Sequence, residues 1–161
     1  MNTDLEQLVL ELNDYCQLQN CSVSTAESCT GGLVSAKITE KNGVSSWFLG
    51  GIISYANQCK QNILNVNGAD LEKYGAVSET VALQMAIGAN QITGSDYCVS
   101  LTGIAGPGGG TKDRPAGTVW IAVAYKNKAT AECFLFNGDR KIVREQATKQ
   151  ALLGLIKKIK K

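Results

Sequence analysis

A chain of 161 residues fits one compact domain, residues 1–161, and a domain of that size buries about two-thirds of its unfolded surface without help from disulfides or metal. An apolar fraction of 44% and a charged fraction of 19% exclude disorder, and a net charge of +2 is too weak a field to point to nucleic acid as a partner. The sequence contains no histidine, which excludes every Ser-His-Asp or Cys-His mechanism and every histidine-ligated metal, so any proton transfer falls to Lys, Tyr, Asp, Glu or water.

The first residues, MNTDLEQLVLELN, are acidic and carry no apolar signal region, and no later stretch reaches membrane-spanning length. A soluble, cytoplasmic protein with no membrane partner is therefore expected. Leu5, Leu8, Val9, Leu12, Tyr15 and Cys16 form a helical stripe over residues 4–19. CSVSTAE (21–27) is short and β-compatible, and GLVSAKITEKNG (32–43) reads as a helix closed by Asn42-Gly43. GGIISYA (50–56) is a strand, Asn57 caps a short helix over 58–64, and residues 65–75 read as looser chain. Ser78 caps a helix running to Gly94. SDYCVSLTGIAG (95–106) is a buried strand entering a glycine-rich loop. Strands over 117–126 and 129–137 follow, separated by Asn127-Lys128, the spacing of a tight hairpin. A helix over roughly 140–159 closes the chain. Its terminal Lys157, Lys158, Lys160 and Lys161 suit the helix dipole, the alternative being a tail for nucleic acid or membrane. Interleaved helices and strands with a late hairpin predict an α/β fold: a mixed sheet covered by helices on both faces.

Six cysteines are scattered with no C-x-x-C pair, which argues against structural zinc. Cys98 and Cys133 stand in apolar runs and read as small buried hydrophobes in a reducing compartment.

Chemistry is concentrated in three segments. The first, TAESCTGG (25–32), places Ser28 at a sharp strand-to-helix turn, with the amides of Cys29, Thr30 and Gly31 free to stabilise an oxyanion. Ser28 or Thr30 acting only as a helix N-cap explains the same residues. The second, SYANQCK (54–60), puts Tyr55 at a strand end and Lys60 in the first helical turn, where the positive end of the dipole favours loss of the lysine's proton. An exposed surface lysine is the alternative. The third runs from Thr102 through Gly103, Gly106 and Gly108 to Gly117, a glycine-rich backbone able to wrap a ligand, with Lys112, Arg114 and Arg140 as candidates to supply charge to a phosphate. It matches neither a Walker A nor a dinucleotide pattern, and a plain connector is the competing reading. Trp47-Phe48 is either core or a surface for stacking on a planar ring.

Taken together, TAESCTGG (25–32), WFLGGIISYANQCK (47–60), GAVSE (75–79), SLTGIAGPGGGT (100–111), RPAGTVWIA (114–122) and FNGDRKIVRE (136–145) resemble the CinA carboxy-terminal domain family of nicotinamide-nucleotide amidases, in its stand-alone form. The resemblance implies a three-layer α/β/α fold with a mixed, mainly parallel sheet, no cofactor and no metal, a homodimer, and hydrolysis of the carboxamide of nicotinamide mononucleotide. Carried onto matching positions, it implies Ser28 as nucleophile, Lys60 as base, Tyr55 as the associated tyrosine, Thr102 in the lining loop and Arg140 on the phosphate, with Arg144 as its competitor. Two other functions fit the same blocks: a non-catalytic nucleotide-binding module linked to competence or DNA damage, and a different amidase or phosphate-ester hydrolase.

Overall fold

A computed structural model describes residues 2–161. Five strands form one mixed sheet in the order β2-β1-β3-β4-β5: β1 (Val23–Glu27), β2 (Phe48–Ile53), β3 (Tyr97–Gly103), β4 (Thr118–Tyr125) and β5 (Lys128–Leu135). β1 pairs in parallel with β2 and with β3, whereas β3–β4 and β4–β5 are antiparallel. Four strands therefore point one way and β4 alone runs against them.

Side chains alternate across the pleat, so each buried strand feeds two cores. On one face Val99 and Leu101 of β3 join Leu12 of α1 (Asn2–Gln19), Val34 and Ile38 of α2 (Leu33–Thr39), and Leu152 and Leu155 of α6 (Arg140–Ile159). On the other, Cys98, Ala122 and Ala124 pack under Val81, Ala82, Met85 and Ala86 of α5 (Glu79–Thr93). Two short helices, α3 (Asn57–Leu64) and α4 (Gly68–Tyr74), lie beside α5. The result is a three-layer α/β/α arrangement.

Residues 65–75 are not loose. Asn67 accepts from the amides of Ala69 and Asp70, and this cap starts a seven-residue helix too short to show a periodic stripe. α2 ends at Thr39, earlier than Asn42-Gly43, and a 3-10 turn over Val44–Ser46 fills the gap. The hairpin turns one residue sooner than expected: Lys126 and Asn127 both take positive φ, and Tyr125 pairs with Lys128. Trp47 is core, with its indole nitrogen donating to Asn13 at 3.0 Å. Cys98 is buried as expected, but Cys133 is exposed on β5, an edge strand paired on one side only. Of the terminal lysines, Lys160 reaches back to α1 and pairs with Glu11 at 2.8 Å, whereas Lys157, Lys158 and Lys161 line the cleft under β4 and β5. No helix among the described residues is long and apolar enough to cross a membrane.

The topology fixes where a ligand can sit. From β1 the chain moves outward to β2, then returns across β1 to β3 by way of α3, α4 and α5. The crossover from β1 to β2 and the one from β2 to β3 run on opposite faces of the sheet, so a crevice opens at the carboxyl ends of β1, β2 and β3. Ser28, Ser54 and Ile104 are the first residues past those three ends.

Candidate active site

The corner after β1 is built around a carboxylate. Glu27, with no solvent exposure, turns its side chain back over residues 30–35. It accepts from Thr30 Oγ1 (2.7 Å), from the amides of Gly32 (3.0 Å), Val34 (3.1 Å) and Ser35 (2.9 Å), and from Ser35 Oγ (2.8 Å). These amides are the orphan donors of the α2 start, so Glu27 caps the helix from outside it. Gly32, the residue at the cap position, has φ 98° and no side chain to contribute. The capping-box alternative for Ser28 and Thr30 is thereby excluded. Thr30 is buried and spends its hydroxyl on Glu27, and the Ser28 hydroxyl is left for another partner.

That partner comes from the next corner. Lys60 Nζ lies 2.9 Å from Ser28 Oγ and donates to the carbonyls of Ser54 (2.8 Å) and Tyr55 (3.0 Å). Lys60 is 1% exposed, so it is no surface lysine. Ala56, not Asn57, is the N-cap of α3, which makes Lys60 the fourth helical residue rather than the third. Its pKa is lowered from the ordinary 10.5, and burial, rather than the dipole invoked from sequence, is the main cause. It forms no ion pair among the described residues. The three contacts suit both protonation states. As an ammonium, Lys60 has a proton for each; as a neutral amine it keeps two protons for the carbonyls and turns its lone pair to the serine hydroxyl. Ser54 Oγ, at the same corner, is buried and has no partner among the described residues.

Cys29, adjacent to Ser28, is buried, and burial pushes its thiol up to about 11, so it stays protonated at neutral pH and is a poor nucleophile.

A cavity of about 190 Å³ opens over this pair, and its lining includes Ser28, Cys29, Tyr55, Lys60, Thr102 and Arg140. Gly103 and Ala105 from the third segment, and Ala76 and Val77 ahead of α5, complete the wall. Larger clefts lie elsewhere, one of about 680 Å³ near Leu33 and Ile142 and one of about 340 Å³ under the β4–β5 hairpin. Neither brings a hydroxyl and a buried amine together, so size does not select the site here.

The other sequence-marked residues separate on geometry. The amide of Gly31 donates to the Ser28 carbonyl at 3.0 Å and is not free for an oxyanion; those of Cys29 and Thr30 have no acceptor among the described residues. Thr102 donates its hydroxyl to the Ala76 carbonyl at 2.8 Å, which ties two walls of the cavity together. Gly106 touches the site only through its carbonyl, which accepts from Arg140 Nη1 at 2.9 Å. Gly108 and Lys112 lie in the exposed part of the loop and Arg114 is half-buried, all three outside the lining. Tyr55 is 62% exposed at the mouth; its hydroxyl meets Arg140 Nη2 at 3.3 Å, and only its carbonyl is bonded to Lys60. Arg144 is absent from the lining and binds backbone carbonyls instead. Among the described residues no cluster of three metal-ligating side chains occurs.

The model of the CinA C-terminal domain family matches residues 5–159. The chain belongs to the CinA C-terminal domain family. The nicotinamide-nucleotide amidohydrolase PncC of Escherichia coli (strain K12) is 44% identical over 157 residues, covering 96% of this chain and 94% of that protein. A CinA-like protein of Thermosipho melanesiensis is 44% identical over 161 residues, but the chain spans only 38% of that relative's length. Among solved structures, the competence/damage inducible protein CihA from Agrobacterium tumefaciens superposes with a TM-score of 0.92 at 37% identity, covering 98% of this chain and 96% of that one. A competence-damaged protein (CinA) superfamily protein from Escherichia coli gives 0.92 at 35% identity, covering 97% and 91%.

Within this CinA domain, two parts of the site escape reading by residue type. Glu27 sits in a five-residue strand that is buried throughout, and a carboxylate there demands compensation; that was the available signal. Ala76 and Val77 carry no chemical marker at all.

Proposed function

We propose that the chain is an amidohydrolase that cleaves the carboxamide of nicotinamide mononucleotide to nicotinic acid mononucleotide and ammonia, with Ser28 as nucleophile and Lys60 as general base. The observation that carries this reading is the 2.9 Å approach of a buried, carbonyl-anchored amine to a serine hydroxyl at the floor of a cavity. The 44% identity to an E. coli nicotinamide-nucleotide amidohydrolase supports the substrate class.

Neutral Lys60 takes the Ser28 proton as Oγ attacks the carboxamide carbon. Charge develops on the carboxamide oxygen, and the uncommitted amides of Cys29 and Thr30 are its donors. The ammonium of Lys60 then hands its proton to the departing nitrogen, and ammonia leaves an acyl-Ser28 ester. Water, giving a proton to the same amine, releases the carboxylate and restores the serine. No step draws on a cofactor. The cavity has room for an aromatic carboxamide but not for a whole nucleotide, so ribose and phosphate lie at the mouth beside Tyr55 and Arg140. Arg140 is the phosphate ligand in this scheme. A cytoplasmic homodimer is part of the same reading, checked by light scattering of the purified protein.

The test is ammonia release from nicotinamide mononucleotide, nicotinamide riboside and nicotinamide by the wild type, Ser28→Ala and Lys60→Ala. Turnover by the wild type that requires the phosphate and vanishes in both variants is expected. A fully active Ser28→Ala protein ends the proposal.

A further inference from the structure

Arg140 and Arg144 are one helical turn apart on α6 and serve different ends. Arg140 lines the cavity, whereas Arg144 reaches beneath the serine corner. Its Nε donates to the Cys29 carbonyl at 3.2 Å and its Nη2 to the Thr30 carbonyl at 2.7 Å. It stands among the charges felt by the Cys29 thiol, and it lies 3.7 Å from where a Gly31 side chain would begin.

In a trans peptide unit the C=O and the N–H point in opposite directions. A guanidinium that fixes the Cys29 carbonyl therefore fixes the Thr30 N–H on the far side of the same plane. By the same rule, fixing the Thr30 carbonyl holds the Gly31 N–H on the Ser28 carbonyl. Glu27 meanwhile holds the amides of Gly32, Val34 and Ser35. The turn is clamped by an anion on its downstream amides and a cation on its upstream carbonyls, and the Thr30 amide is left oriented and unspent between them. A positive charge on a carbonyl oxygen also polarises its peptide unit and strengthens the attached N–H as a donor.

We propose that Arg144 is a positioning residue for the oxyanion: acting only through the backbone of residues 29–31, it aims and strengthens the amide that meets the negative charge of the transition state. This rests on the amidase reading above and adds a residue that touches no substrate atom. A group acting this way affects the transition state and leaves ground-state binding alone. A residue that simply braced the fold would change stability and not the balance between kcat and KM.

The experiment measures kcat, KM and thermal midpoint for wild type, Arg144→Gln, Arg144→Lys and Ser28→Ala with nicotinamide mononucleotide. Loss of one oxyanion donor lowers kcat by about 10² to 10³; weakening one is expected to lower kcat by about 10- to 100-fold in Arg144→Gln, with KM within about threefold. Arg144→Lys keeps the charge but cannot fork to two carbonyls, so its kcat falls between wild type and Arg144→Gln. The inference is overturned if Arg144→Gln keeps kcat within about twofold, if its loss lies in KM alone, or if neither arginine variant folds, which would make Arg144 a structural strut. Those results leave the amidase reading standing. A silent wild type, or a Ser28→Ala protein as active as wild type, removes the reading and this inference with it.

Discussion

Two neighbouring β–α corners each bury one ionisable side chain almost completely and treat it in opposite ways. After β1, Glu27 is surrounded by donors, five of them within 3.1 Å, and the Ser28 turn is held on all sides. After β2, Lys60 has two carbonyls and a serine hydroxyl, no counter-ion among the described residues, and a nearby hydroxyl at Ser54 without a partner. The first corner is organised to hold a charge and stay still. The second buries an amine with no counter-ion among the described residues, and that burial lowers its lysine pKa. A rigid nucleophile turn and a destabilised ammonium are complementary halves of one site: positioning on one side, basicity on the other.

The largest effect should come from removing basicity and keeping bulk. Lys60→Met is expected to cost at least about 10³ in ammonia release, near the upper range for a general base. Stability should show the lysine's burden through pH. With its folded pKa below 10.5, the unfolded chain binds more protons between the two values, so wild-type stability rises over that window as pH increases. Below the folded pKa the penalty is constant. Urea unfolding of wild type and Lys60→Met across this range should therefore show a slope in the wild type that the variant lacks. Parallel curves would mean that Lys60 carries an ordinary pKa, and the contrast between the corners would be lost.

The serine corner should answer in stability first. Glu27→Ala leaves three amides without their acceptor and is expected to cost about 3 kcal/mol or more in denaturant unfolding. Glu27→Gln should do little better. One oxygen of Glu27 takes the Gly32 and Val34 amides and the other takes the Ser35 amide, so an NH2 group on either side faces a donor. A Glu27→Gln protein as stable as wild type would show that the carboxylate charge is dispensable there.

A smaller effect comes from the packing that carries the lysine. A Cβ at Gly88 of α5 would stand 2.0 Å from the carbonyl oxygen of Leu64, one turn beyond Lys60 on α3. Gly88→Ala should cost about 1–3 kcal/mol as α3 is pushed outward. Activity should fall further than that loss explains, while hydrogen-exchange protection of the Gly32, Val34 and Ser35 amides stays unchanged. Equal loosening of both corners would show that they are a single unit.

Sequence reading reached the site unevenly, for physical reasons. Ser28, Lys60 and Thr102 were legible because small residues and glycines at strand ends mark places where backbone and ligand approach, and because the absence of histidine left lysine among few bases. The burial of Lys60 was not legible: four methylenes and an amine at a helix start read as solvent-facing until α5 is known to cover α3. Glu27 was missed as a cap because its work depends on three amides brought round by the turn, five to eight residues along. α4 was missed because about two turns of helix rest on the Asn67 cap rather than on a pattern. Cys133 was misplaced because apolar neighbours in β5 cannot reveal that no further strand pairs with it.

The smallest expected effect tests whether the two corners suffice. Tyr55 stands at the mouth, its hydroxyl 3.3 Å from Arg140 and its ring largely in solvent. Its tie to Lys60 runs through a backbone carbonyl, which any residue supplies. Tyr55→Phe should keep that carbonyl and lose only a long, exposed hydrogen bond, worth about 0.5 kcal/mol. The expected result is kcat within about threefold of wild type and a slight rise in KM for the nucleotide. A fall in kcat of about 100-fold or more would place the phenol in the proton path to the leaving ammonia, in the range of a lost acid–base group. The lysine would then be one member of a relay, passing its proton on through the phenol.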